Sequence, residues 1–226
     1  MRILKISSVI LMAGLIVACS SSSSQRPDRT PRGGFERANM AFNTGDFATA
    51  HEGYSCIASR GHGFEVAQHN AGLASLELSR DPSLSEEDAQ LLRARGLGEL
   101  MLAANAGWPA SQAELSEYYY GRGDDDGMVR AGYWLLMYAG NNRETALGLQ
   151  RLSNARQDEI FTGVGEERML LAQQSLQNYR LTPLESSRPE TYCAPWFEVR
   201  GPRRPQRRRA PDIAPDRAPS QGQPRY

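Results

Sequence analysis

Residues 103–123 read AANAGWPASQAELSEYYYGRG, and the architecture turns on this stretch. Small residues run up to Ala106, a Gly107-Trp108-Pro109 break follows, and Ser111, Gln112, Leu115 and Tyr118 to Tyr120 then lead to a second break at Gly121-Arg122-Gly123. Two breaks so placed leave room for one short helix between them. The same punctuation continues on both sides. From Phe35 to Arg180 the only prolines are Pro82 and Pro109, β-branched residues are few, and Ala, Leu, Glu, Gln, Arg and Met dominate. That composition favours helix over strand. Further breaks at Thr44-Gly45, Gly61 to Gly63, Arg80 to Ser85, the Gly121 to Gly127 turn, Gly140 to Asn142 and Thr162 to Gly165 predict eight helical stretches arranged as antiparallel hairpins.

Individual helices carry their own signals. Ser85-Glu86-Glu87-Asp88 combines a capping serine with acids in a first turn, where the helix dipole is positive. Met169, Ala172, Leu176 and Tyr179 fall on one face of the last helix, a stripe that reads as core. Three successive tyrosines cannot share one face, because each residue turns about 100°. At least one of Tyr118, Tyr119 and Tyr120 is therefore expected at the surface, and together with Trp134 and Tyr138 they are the candidate partner-binding residues, with filling of the interhelical seam as the competing reading.

The stretch also repeats. Ala67-Gln68 and Ala71-Gly72 match the region of Gln112 at a shift of 44, and Ala131, Trp134 and Tyr138-Ala139-Gly140-Asn141 match in part, Ala104 to Tyr138 being a shift of 34. With small-Gln, Tyr, Gly-x-Gly, Ala, Trp and Gly in this order, the region from Phe35 to Ser153 resembles the Sel-one-like repeat, a relative of the tetratricopeptide repeat, and Asn43 to Ala50 looks like a tetratricopeptide turn. Departures stand at Ser75, Ser116 and Asp124 to Asp126. The resemblance implies an all-α fold of stacked hairpins, a short solenoid over residues 35–187 whose final helix, Glu166 to Tyr179, acts as cap. It also implies a protein–protein interaction scaffold without catalysis.

The amino end points to a location. Arg2 and Lys5 precede an apolar run from Ile6 to Val17, too short to cross a bilayer comfortably. Ile16-Val17-Ala18-Cys19 followed by serines resembles the lipobox of bacterial lipoproteins. In that family residues 1–18 would be a signal peptide and Cys19 the palmitate-bearing first residue of the mature chain. Ser20, not being aspartate, implies sorting to the outer membrane, facing the periplasm, with another leaflet or the cell surface as the alternative. Residues 19–34, opening with serines and continuing through Pro27, Pro31, Gly33 and Gly34, are expected to be a flexible tether.

Net charge is zero overall, with 26 basic and 26 acidic residues, which excludes a globally cationic nucleic-acid binder. The zero conceals an asymmetry. Residues 35–187 hold 21 acids against 12 arginines, whereas residues 188–226 hold nine arginines against four acids. That arginine- and proline-rich tail is expected to be mostly disordered and offers contact with an anionic cell-wall polymer or lipid, the basis of an alternative structural, cell-wall-associating role. Cys56 and Cys193 remain after Cys19 is assigned, either bridged or as two separate thiols.

Enzymatic signatures are thin. His62, Glu65 and His69 lack the His-Glu-x-x-His spacing of a metal pair, Asp124 to Asp126 lack the alternation of a calcium loop, and no nucleophile elbow or phosphate-cradling loop occurs. No cofactor, metal or nucleic acid is expected, and the partner is an unidentified envelope protein or peptide.

Overall fold

The structure is a computed structural model that describes residues 28–148, 150–187 and 193–197. The signal-peptide reading, Cys19, most of the tether and the tail beyond 197 lie outside the described residues. Among the described residues there are nine helices and no strand, so the fold is all-α. The helices are α1 (Pro31–Asn43), α2 (Phe47–Ala58), α3 (Glu65–Leu78), α4 (Glu86–Asn105), α5 (Pro109–Arg122), α6 (Asp125–Ala139), α7 (Arg143–Ala146), α8 (Asn154–Val164) and α9 (Glu166–Leu176). Consecutive helices from α1 to α6 pack side by side, and α8 and α9 both close on α6.

Short polar side chains set the starts. Thr30, Asp46, Ser85, Asp124 and Ser153 each accept a hydrogen bond from a backbone N–H three residues on, satisfying a donor that the first turn leaves without a partner. The acidic triplet is thereby explained: Asp124 caps α6, while Asp125 and Asp126 sit in its positive first turn. Asp124 also accepts from Arg122 Nε across the turn at 2.9 Å, so the Arg-Gly-Asp sequence is paired with itself.

Three boundaries differ from the sequence reading. Helix α1 begins at Pro31, four residues before Phe35, because Thr30 caps it and Pro31 occupies the first turn, where its missing N–H costs nothing. The expected stretch from Arg143 to Phe161 is divided, since the chain leaves α7, passes Gly148 at φ +66° and restarts at the Ser153 cap. Helix α9 stops at Leu176, so Met169 and Ala172 are buried in its face while Tyr179 lies beyond its end.

Two cores result. One gathers Ala38, Tyr54, Ile57, Ala67 and Ala71 from α1 to α3 with Cys193, Trp196 and Phe197. The other gathers Leu100, Leu115, Tyr119, Trp134, Leu135, Ile160, Val164 and Met169 from α4 to α9. They are joined at the crossing of α3 and α4, where two glycines face each other. A Cβ on Gly96 would stand 2.8 Å from the Gly72 carbonyl oxygen, and one on Gly72 would stand 2.9 Å from that of Gly96. Any side chain here would force the backbones apart.

The segment 193–197 belongs to the first core. Cys193 and Cys56 form a disulfide across 137 positions of sequence. Trp196 fits over Gly53, where a Cβ would lie 2.5 Å from its ring, and its carbonyl lies 2.5 Å from where a Cβ on Gly34 would be. Its indole N–H donates to Glu52 at 2.8 Å, and Arg37 Nη2 donates to the carbonyls of Pro195 and Trp196 at 3.1 and 2.7 Å.

Candidate functional site

Between α2 and α4 the surface sinks into a recess of about 660 Å³. Its walls are Ser55, Ser59, Gln68, Arg95, Glu99 and Leu102, and residues 182–187 run alongside them with Cys193 at the rim. Those residues form an irregular strap joining the end of α4 to the end of α2. At one end, the Thr182 amide and the Tyr179 hydroxyl donate to the Asn105 carbonyl at 3.0 and 2.9 Å. At the other, the Ser187 amide donates to the Ser59 carbonyl at 2.8 Å. The strap passes so near Gly61, itself at φ +83°, that a Cβ there would lie 2.6 Å from the Ser186 nitrogen. The carbonyls of Asn105 and Ser59 are orphans of two helix ends, and the strap amides satisfy them. The recess is thus a place where extended chain finds backbone partners.

Glu99 forms its polar wall. One carboxylate oxygen accepts from His51 Nε2 at 2.9 Å with Arg95 Nε at 3.4 Å, and the other accepts from the Ser75 hydroxyl at 3.0 Å. Ser55 Oγ stands 3.3 Å from the same His51 nitrogen. A relay that moves a serine proton through imidazole to a carboxylate needs the serine on one ring nitrogen and the acid on the other. Here both groups address Nε2, so the trio lacks that arrangement; it ties α2 to α4, and Ser75 brings α3 into the same network. Ser75, a departure from the repeat pattern, has its reason in this network.

His62 and Glu65 meet, but His69 does not join them. Glu65 is almost wholly buried; its carboxylate accepts from the Gly63 amide at 3.0 Å, with His62 Nδ1 at 3.0 Å and Arg143 at 4.0 Å. Burial works to raise the Glu65 carboxyl, but the backbone N–H groups of Gly63 and Glu65, Arg143 and His62 outweigh it and hold it below its usual value. His69 turns elsewhere, with Nδ1 2.9 Å from the Ser111 hydroxyl, and burial, helped by Arg151, pushes it down to about 4. Among the described residues no group of three or more His, Cys, Asp or Glu is placed to hold a metal ion.

The aromatic candidates divide by burial. Tyr119, Trp134 and Tyr138 are buried in the second core, and Tyr118 and Tyr120 are half-buried against it. Tyr118 and Tyr120 stay partly exposed because α8 supplies a second, partial cover: Tyr120 lies over Gly163 and stacks with Arg156. The Tyr138 hydroxyl accepts from the Arg151 and Leu152 amides at 3.0 Å each and pins the loop before α8. Gln112 also has a structural task, donating to the Ala104 carbonyl at 3.0 Å and accepting from Asn141 at 2.8 Å.

Residues sequence reasoning did not single out are those of the recess: Ser55, Arg95, Glu99, Leu102 and the strap. The only available signal was Thr182-Pro183-Leu184, a helix-incompatible run after α9. Among the described residues no helix is long and apolar enough to cross a membrane. Compared with models of known protein families, with characterised proteins and with solved structures, the chain matches none.

Proposed function

We propose that this chain is a lipid-anchored envelope protein, attached through Cys19 to the outer membrane, whose helical hairpins act as a non-catalytic scaffold for an extended segment of another envelope protein. The observation that carries this reading is the recess beside α2 and α4. It offers mixed polar and apolar walls beside an extended strap that already pairs with helix-end carbonyls. The aromatic cluster of α5 and α6 is assigned to core packing, and the partner surface moves to the recess. The amino-terminal lipobox resemblance supports the anchor, and the repeat resemblance supports the scaffold.

Site-specific photo-crosslinking in intact envelopes tests it. A crosslinking amino acid at Leu102, exposed at the recess, is expected to give one discrete protein adduct. The same group at Leu91, exposed elsewhere on α4, is expected not to give it. Identical adducts at both positions, or none at Leu102, count against the scaffold. Intact mass tests the anchor separately: an unmodified Cys19 removes it.

A further inference from the structure

Glu144 is a nearly buried carboxylate without a countercharge. Only 6% of it is exposed. It accepts from the Arg151 amide at 2.9 Å and has the Tyr138 hydroxyl as a second neutral donor. Among the described residues no arginine or histidine nitrogen stands within 4 Å of it. The neighbouring arginines are engaged elsewhere. Arg143 reaches the Ala106 and Gly107 carbonyls and Glu65, and the charge of Arg151 acts on His69 and Glu114. Glu65, the other acid buried to this degree, shows the usual solution, with His62 Nδ1 at 3.0 Å and Arg143 at 4.0 Å. A carboxylate withdrawn from water is ordinarily paired with a cation. Among the described residues Glu144 is the exception.

The surface around it is built of acceptors. Glu144 lies in a recess of about 530 Å³, apart from the one beside α2 and α4, bordered by Tyr138, Ala139, Gln150, Asn154 and Gln157. Gln150 and Gln157 both donate through Nε2 to the Leu152 carbonyl, at 3.2 and 3.0 Å. A carbonyl can only accept, so it fixes the orientation of both amides and leaves the Oε1 of each open. Neither oxygen accepts from a group among the described residues. Asn154, whose Oδ1 accepts from Gln150, keeps the one uncommitted amide nitrogen on this border. Ala139 ends α6, and its carbonyl accepts from no backbone N–H among the described residues. Such a helix end carries partial negative charge and favours a cation.

We propose that this recess binds a primary ammonium group, with Glu144 as its countercharge and the oxygens of Gln150 and Gln157 accepting from its N–H groups. An ammonium has three donors and no acceptor, which matches a border whose donors are mostly spent on the fold. One carboxylate among neutral oxygens suits a single positive charge better than a divalent ion, which draws on several carboxylates. The described residues contain no lysine, so none of them supplies the group. Two sources share this chemistry, the side chain of a lysine on another protein and a free alkylamine. The proposal does not draw on the scaffold reading or on Cys19.

The test titrates the full chain and follows by NMR the Arg151 backbone amide and the side-chain amides of Gln150 and Gln157. The probes are n-butylammonium, as a free amine, and a blocked lysine tripeptide, as a protein-borne one. Tetramethylammonium, which carries the charge without N–H donors, and methylguanidinium are the comparison cations. Both amines are expected to give saturable shifts below about 50 mM. Tetramethylammonium should bind at least about tenfold more weakly, because it forms none of the charge-assisted hydrogen bonds. In Glu144→Gln, which keeps an acceptor for the Arg151 amide, affinity for n-butylammonium should fall at least about tenfold. The comparison of cations is made on the wild-type chain, so it decides the matter even where that variant does not fold. Tighter binding of the tripeptide assigns the site to a lysine of another protein, and equal or tighter binding of n-butylammonium assigns it to a free amine. Four results overturn the proposal: no saturable shift with either amine, equal binding of tetramethylammonium, tighter binding of methylguanidinium, or wild-type affinity in a folded E144Q protein.

Discussion

Alanine at Gly96 and alanine at Gly98, two residues apart on α4, should move stability in opposite directions. Either change removes a helix-interior glycine and gains about 1 kcal/mol of helix propensity. At Gly98 nothing lies within 4 Å of the new methyl, so the gain is kept. At Gly96 the methyl would stand 2.8 Å from the Gly72 carbonyl oxygen and 2.9 Å from Leu76 Cγ. Overpacking of this kind costs about 1–3 kcal/mol, and a backbone neighbour, which cannot rotate aside, sets the cost near the upper end. Net destabilisation of G96A is then about 1–2 kcal/mol. For a domain of this size 1 kcal/mol shifts Tm by about 2–4 °C, so G98A should rise by that amount and G96A should fall by about 2–8 °C. Thermal melts followed by circular dichroism measure both. Adding G72A to G96A should cost less than the sum of the two single changes, because one separation of α3 from α4 relieves both contacts. A G96A protein as stable as wild type, or a G98A protein that loses as much as G96A, would show that the helices do not cross as described.

Replacing Cys56 and Cys193 together by alanine should lower stability by up to about 4–5 kcal/mol on the chain-entropy estimate, read as a drop in the urea midpoint that reductant reproduces in the wild type and not in the variant. Tyr138→Phe should cost about 1–2 kcal/mol, because it leaves the Leu152 amide without its acceptor while the Arg151 amide keeps Glu144; urea unfolding measures it. His69, pushed down to about 4 by burial, is neutral in the fold where the unfolded chain would protonate near 6.5. As pH falls from 6.5 to about 4 the unfolded state takes up the proton first, so up to about 3 kcal/mol of stability is lost over that window. His69→Gln, which keeps a polar group toward Ser111, should flatten the pH dependence there, and an equal slope in both proteins would assign the loss to other groups.

Much of the helical layout is readable locally. Ser85 followed by three acids announces α4, the glycines at 61, 63, 107 and 123 mark turns, and the small residues around Ala67 to Gly72 and Ala103 to Ala106 mark close packing. What stays hidden depends on partners distant in sequence. Gly33 and Gly34 read as linker because nothing local shows that Trp196 will press against Gly34. Gly53 reads as an indifferent helix residue for the same reason. How the tyrosine cluster divides is hidden as well, because a rule about one helix face assumes one covering surface and α8 adds a second against α5. The recess is equally invisible, since Glu99 acquires meaning only beside His51 and Ser75, 48 and 24 positions away.

The disulfide and the tryptophan seat give synthesis an order of events. A nascent chain lengthens from its amino end at about 5–20 residues per second, so the 137 positions between Cys56 and Cys193 correspond to about 7–27 s. Throughout that interval the first two helices exist without the aromatic pair that completes their interior, and the Cys56 thiol waits without its mate. The earliest hairpin to be made is therefore the last to be finished, and a ribosome stalled before codon 193 would release a body whose later half can close while its beginning stays open.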